Sequence, residues 1–109
     1  MGEEDRKVTS IRNDYNGLYV TAELGRTGVD YGMLRARNAD VSTWEKFRID
    51  RWGPNPNMYT IRSNVTGKYV STEMGYTGGR HAMLRARATE VGNWEKYIIP
   101  CGLPYVCSF

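Results

Sequence analysis

The chain is short of the features that mark most function classes. Its 109 residues include two cysteines, Cys101 and Cys107, both near the C-terminus. Two is too few for a disulfide framework, and no His or Cys pair has the spacing of zinc ligands, so no metal is expected. Gly102 and Pro104 lie between the two thiols. A local bridge across a turn and a pair of free thiols both stay open. Histidine occurs once, at His81. No pattern places a base beside a Ser, Cys or Thr nucleophile, so an enzyme is not expected and no catalytic residue or cofactor is assigned. No apolar run approaches the roughly 20 residues that span a bilayer. The first seven residues are polar and lack the apolar centre of a secretory leader, which fits a cytoplasmic protein or a secreted one whose leader has been removed. Arg6 stands where myristoylation would want Ser or Thr. A dominant charge is missing as well: fifteen Lys and Arg face twelve Asp and Glu, interspersed, for a net +3. Proteins that track phosphates carry a more segregated basic excess, so nucleic acid is not the expected partner.

What the chain does have is a second copy of itself. Tyr19-Val20, Glu23, Thr27-Gly28, Met33-Leu34-Arg35-Ala36-Arg37 and Trp44-Glu45-Lys46 recur as Tyr69-Val70, Glu73, Thr77-Gly78, Met83-Leu84-Arg85-Ala86-Arg87 and Trp94-Glu95-Lys96. The offset is fifty residues from Ile11/Ile61 through Ile49/Ile99, without a gap, and close to half of the aligned positions are identical. The chain is a tandem duplication. We divide its single domain, 1–109, into repeat one (8–50), a linker (51–57) carrying Pro54 and Pro56, repeat two (58–100) and a C-terminal tail (101–109).

Each copy reads as four short strands. Residues 8–12 form a brief β-run. Asp14-Tyr15-Asn16-Gly17 supplies a turn in which Asn and Gly tolerate positive φ. Leu18-Tyr19-Val20-Thr21-Ala22 then returns. Repeat two has the same order at 58–62, 64–67 and 68–72. Gly-rich loops follow at 24–32 and 74–82. In the third run Leu34 and Ala36 alternate with Arg35 and Arg37, the pattern of a half-buried strand with a wet basic face. A fourth run is expected at 44–49 and 94–99. No segment has helical periodicity, so the fold class is all-β.

The combination of Asn16-Gly17-Leu18-Tyr19-Val20-Thr21-Ala22-Glu23 with Trp44-Glu45-Lys46-Phe47-Arg48-Ile49, repeated in the second copy, resembles the fascin-like repeat of β-trefoil proteins. The resemblance implies a trefoil-related barrel built from four-strand repeats. Members of that group bundle actin filaments or ride on secreted bacterial glycoside hydrolases as sugar-binding modules. It therefore implies a non-catalytic binding module, with carbohydrate (lectin-like) as the first expectation. An actin-type protein-interaction module or a self-assembling structural protein is the alternative. The Gln-x-Trp motif of ricin-type lectins is missing, because Ser42 and Gly92 precede Trp44 and Trp94 by two positions, so no sugar ligand carries over from that branch. Trefoils have three units and this chain has two, which leaves strand edges unpaired. Closure is expected from a tail strand at 105–109, from association into a homo-oligomer, or from a third repeat that has been lost.

Repeat-invariant aromatics (Trp44, Trp94, Phe47, Tyr97, Tyr19, Tyr69) are explained by the shared fold. Function is better sought where the copies differ. Tyr31 and Tyr76 offer rings to a sugar face, and Arg26, Asp30, Arg80 and His81 offer hydrogen bonds to hydroxyls. Tyr15, Trp52 and Tyr105 are further non-repeating aromatics. Arg35, Arg37, Arg85 and Arg87 form a secondary basic set suited to an acidic protein surface or sulfated glycan, or else they cover apolar neighbours and pair with Glu23, Glu45, Glu73 and Glu95. The same carboxylates suit structural roles better than glycoside hydrolysis.

Overall fold

The structure, a computed structural model, describes residues 8–100. The expectations for a Cys101–Cys107 bridge, a closing strand at 105–109, Tyr105 as a ligand aromatic and a solvated stretch at 1–7 lie outside the described residues. Within them the protein is all-β, with eight strands, four short 3-10 turns and no α-helix. The strands are β1 (Val8–Thr9), β2 (Tyr19–Ala22), β3 (Leu34–Asn38), β4 (Phe47–Arg51), β5 (Met58–Ser63), β6 (Tyr69–Thr72), β7 (Leu84–Ala88) and β8 (Tyr97–Ile98).

Both repeats fold by the same rules. The first strand pairs with the fourth, Val8 opposite Arg48 and Thr9 opposite Phe47, and again Met58 opposite Ile98 and Tyr59 opposite Tyr97. The second and third strands form an antiparallel hairpin, with Ala22 opposite Leu34 and Thr72 opposite Leu84. First and second strands touch at one pair per copy, Arg12 with Tyr19 and Arg62 with Tyr69. Their connection turns as the sequence suggests. The Asn13 carboxamide accepts from the Tyr15 and Asn16 amides, the Asn13 carbonyl accepts from the Gly17 amide at 2.8 Å, and Gly17 sits at φ 72°.

The fourth strand starts later than expected. Trp44 and Trp94 lie in 3-10 turns, Thr43–Glu45 and Asn93–Glu95, and the strands open at Phe47 and Tyr97. The cause is local: the carboxylate of Glu45 reaches back to accept from the Ser42 amide at 2.9 Å, and Glu95 does the same to Gly92 at 2.7 Å. Each glutamate satisfies an amide that the start of a helical turn leaves open.

The repeats join through β4 and β5, which pair over five positions from Phe47/Ser63 to Arg51/Tyr59. The strands run in the order β1-β4-β5-β6-β7, with β8 on β5, while β2 and β3 form a separate two-stranded sheet. These sheets do not close into a barrel. One edge of β1 and one edge of β8 have no strand partner among the described residues, because in each repeat the corresponding edge is filled by the other repeat and only one such junction exists here. The core is small: Ala22, Phe47, Val70 and Ala86 are buried together, with Ile11, Val20, Leu24, Leu34, Ile61 and Tyr97 packed against them.

At the junction the backbones nearly touch. The Ala86 amide donates to the Gly32 carbonyl at 2.7 Å. Gly32 sits at φ 78°, and a Cβ there would lie 2.7 Å from the Ala86 carbonyl oxygen. Its counterpart Ala82 holds nearly the same conformation, φ 68°, as the sole non-glycine residue at positive φ among the described residues. Ala82→Gly therefore removes backbone strain and should raise stability by about 0.5–1 kcal/mol, while Gly32→Ala adds that strain and a backbone clash and should cost roughly 2–4 kcal/mol. Urea denaturation of the two variants checks both signs.

Candidate functional site

The Gly-rich loops bring most of the expected site residues together, and the residues use their polar groups on one another. Arg80 donates to both carboxylate oxygens of Asp30, at 3.0 and 3.3 Å. That hydrogen bond, more than the surrounding positive charge, holds the Asp30 carboxyl below its ordinary range. The His81 ring Nδ1 lies 2.9 Å from the Tyr76 carbonyl oxygen. Arg85 reaches across the junction from β7: it donates to the Tyr31 carbonyl at 2.8 Å, to the Gly28 carbonyl at 3.1 Å and to the Tyr76 hydroxyl. Its guanidinium also lies 6.0 Å from the centroid of the Tyr76 ring. Arg26 stays exposed beside the cluster and acts on Asp30 through charge alone. The result is a clasp that fastens repeat one to repeat two.

The four basic residues of the third strands divide. Arg37 holds Glu23, and Arg87 holds Glu73 at 2.8 Å through its second nitrogen, each in a two-point pair with a nearly buried carboxylate. Arg85 is only 8% exposed. Arg35 alone of the four remains exposed with no hydrogen-bond partner among the described residues. The expected wet basic face is thus largely neutralised or covered.

Concavity lies elsewhere, in two equivalent clefts between the third strand and the 3-10 turn of each repeat. Arg37, Asn38, Trp44 and Glu45 line the first, about 190 Å³. Arg87, Ala88, Asn93, Trp94 and Glu95 line the second, about 570 Å³. The difference has a residue-level cause. In repeat one the Glu45 carboxylate is fully engaged: Asn38 donates at 2.9 Å and Thr21 at 2.7 Å to one oxygen, and the Ser42 amide to the other. In repeat two Ala88 replaces Asn38 and Ser71 replaces Thr21. Ala88 has no amide side chain to offer, and the buried Ser71 hydroxyl makes no hydrogen bond among the described residues. Glu95 keeps its bond from the Gly92 amide through one oxygen, while its second oxygen has no donor among the described residues. Beside it Trp94 is 41% exposed. Both tryptophans lie across bare glycine backbone: a Cβ at Gly25 would be 3.2 Å from the Trp44 ring and one at Gly75 3.6 Å from the Trp94 ring.

Sequence reasoning passes over this cleft because Trp94 and Glu95 are repeat-invariant, which points to the shared fold. The signal is in their neighbours, where Asn38 becomes Ala88 and Ser42 becomes Gly92. Among the described residues no cluster of His, Cys, Asp or Glu is suited to a metal ion, and no helix is long and apolar enough to cross a membrane. Comparison with protein-family models, curated proteins and solved structures finds no match for this chain.

The carboxylates of repeat one give a pH test. Burial pushes Glu45 upward, but hydrogen bonds from Asn38, Thr21 and the Ser42 amide outweigh it and set the group below its ordinary 4.5. The Arg37 hydrogen bond lowers Glu23 likewise. Groups depressed on folding contribute stability that is complete above the unfolded value and is lost as pH falls through the folded one. Stability should therefore decline below pH 4.5. In Asn38→Ala, burial is less opposed and the folded-state value of Glu45 moves back toward the unfolded one, so the variant should be less stable at neutral pH and should lose less stability on acidification, read from urea midpoints across an acid series.

Proposed function

We propose that the protein is a non-catalytic, carbohydrate-binding module on a trefoil-related scaffold of two fascin-like repeats, with the repeat-two cleft as its main site. The observation that supports this reading is the pairing of an exposed indole with an under-used carboxylate. A sugar ring has a C–H face that stacks on an aromatic surface and vicinal hydroxyls that donate to a carboxylate oxygen. Trp94 and the second oxygen of Glu95 offer both, with the Asn93 carboxamide and the Arg87 guanidinium at the rim. The cleft volume is that of a small-ligand site. A mono- or disaccharide fits this chemistry better than an apolar ligand, since a sugar hydroxyl would donate to the carboxylate oxygen that has no donor among the described residues.

This moves the expected contact from the Gly-rich loops to the loop after β7. Asp30 and Arg80 spend their hydrogen bonds holding the repeats together, Tyr76 and His81 spend theirs within the loop and on Arg85, and a ligand would have to displace those bonds. The acidic-surface or filament-binding alternative draws less support, because Glu23 and Glu73 neutralise Arg37 and Arg87 and Arg85 is buried.

Glycan-array and calorimetric binding check the reading. Trp94→Ala should weaken binding about fivefold or more, and Ala88→Asn, which rebuilds the repeat-one arrangement and fills the cleft, should abolish it. Trp44→Ala, at a separate site, should leave affinity within about twofold. A loss of stacking of about 1 kcal/mol alone lowers affinity roughly fivefold. Binding that survives both repeat-two substitutions would remove the cleft from consideration.

A further inference from the structure

Equivalent residues in the two repeats are buried to different extents, and the differences map two faces. On the first, repeat one is the more exposed: Val20, Ala36 and Thr9 are half-buried where Val70, Ala86 and Tyr59 are buried, and Arg35 is exposed where Arg85 is buried. On the second, repeat two is the more exposed: Tyr97 and Ile99 are half-buried where Phe47 and Ile49 are buried, and Ala82 is exposed where Gly32 is buried. These are the two halves of the junction between the repeats. The first half accepts a neighbour's loop, as β7 accepts the loop of repeat one. The second half presents a loop. The edges of β1 and β8 that have no strand partner among the described residues correspond to the edges joined in the β4–β5 ladder.

A chain carrying both halves of one junction has a head-to-tail interface with itself, and such contacts run on into rings or filaments. Ala82 alters that outcome. A Cβ placed on Gly32 would sit 2.7 Å from the facing carbonyl, and Ala82 carries that Cβ at nearly the same φ. We propose that the Arg35 face of repeat one is an unfilled copy of the inter-repeat junction. It takes one further unit of this repeat type, whose loop bears glycine where repeat two bears Ala82. The Ala82 methyl keeps the chain's own second repeat from filling that face. Arg35 would donate to two carbonyls of the incoming loop, as Arg85 does to Tyr31 and Gly28, and the Ala36 amide would bond the incoming glycine's carbonyl as Ala86 bonds Gly32. The inference is independent of any sugar bound at the Trp94 cleft.

Full-length chains that carry only one working half test it. The native chain has an intact Arg35 face and a blocked loop. Ala82→Gly combined with Arg35→Glu has an open loop and a broken acceptor face, with Arg35→Ala as a milder break. Arg35 is exposed, and a glycine replacing Ala82 is unstrained at positive φ, so these variants should fold. In sedimentation velocity each should run alone as a monomer. The native chain mixed with the double variant should give a capped one-to-one complex of doubled mass, and Ala82→Gly alone should associate further as concentration rises. A mixture that stays monomeric, as it would if another segment of the same chain already covered the Arg35 face, overturns the proposal. So does a native chain that self-associates to the same degree as Ala82→Gly.

Discussion

The arrangement of this protein depends on one guanidinium. Arg85 lies on β7 of the second repeat, yet its hydrogen bonds to backbone oxygen go to the loop of the first. It is nearly buried, and a buried cation is tolerated only where acceptors surround it. Two carbonyls, a phenol hydroxyl and an aromatic face supply that surrounding. Charged hydrogen bonds of this kind contribute about 1.5–3 kcal/mol each, and they fix how the loop of repeat one meets the hairpin of repeat two. The Asp30–Arg80 pair and the Gly32–Ala86 backbone contact lie around the same point. The loops that carry the variable residues are therefore also the mortar between the copies.

Much of the fold was legible in the sequence because the duplication supplies each strand twice. The alternation in Leu34-Arg35-Ala36-Arg37 and the β-formers of Tyr69-Val70-Ser71-Thr72 became strands close to where the pattern puts them. The turn at Asn13 to Gly17 follows from asparagine and glycine chemistry. Other features depend on neighbours that periodicity does not contain. Trp44 and Trp94 fit a strand pattern, but a glutamate one position on finds a closer amide and makes a turn instead. Arg35 and Arg85 have identical flanking residues, and one is exposed while the other is buried. Arg85 is buried because the loop of repeat one lies across it, a contact that its flanking residues do not encode.

The candidate site was less legible for a related reason. Positions shared by both copies read as structural, and Trp94 and Glu95 are shared. What distinguishes them is the loss of two helpers, Asn38 to Ala88 and Thr21 to Ser71, around an unchanged carboxylate. At one other diverged pair the change is compensated: Ala22 lies in the core with Phe47, whereas its counterpart Thr72 bonds the Tyr97 hydroxyl at 2.9 Å. Burial raises the Tyr97 phenol above its ordinary value, and the Thr72 bond partly offsets that. A repeat that replaced a methyl–phenyl contact by a hydroxyl–phenol bond has kept its polar groups matched. At Glu95 it has not, and that contrast is what directs attention there.

The connection between β4 and β5 has a kinetic meaning. Closing a chain segment costs entropy that grows with the logarithm of its length. Within a repeat, the first strand must find a fourth strand that begins nearly forty residues later, Thr9 against Phe47. Between repeats, β4 ends at Arg51 and β5 starts at Met58, joined by a short segment stiffened by Pro54 and Pro56. The ladder that crosses the boundary between the copies thus closes a far shorter loop than the first-to-fourth-strand pairing within either copy. Folding that follows loop entropy would form this seam before either repeat pairs its first strand with its fourth, so the duplicated units are poorly described as two independent foldons. A cut in the linker would sever the contact from which both halves grow.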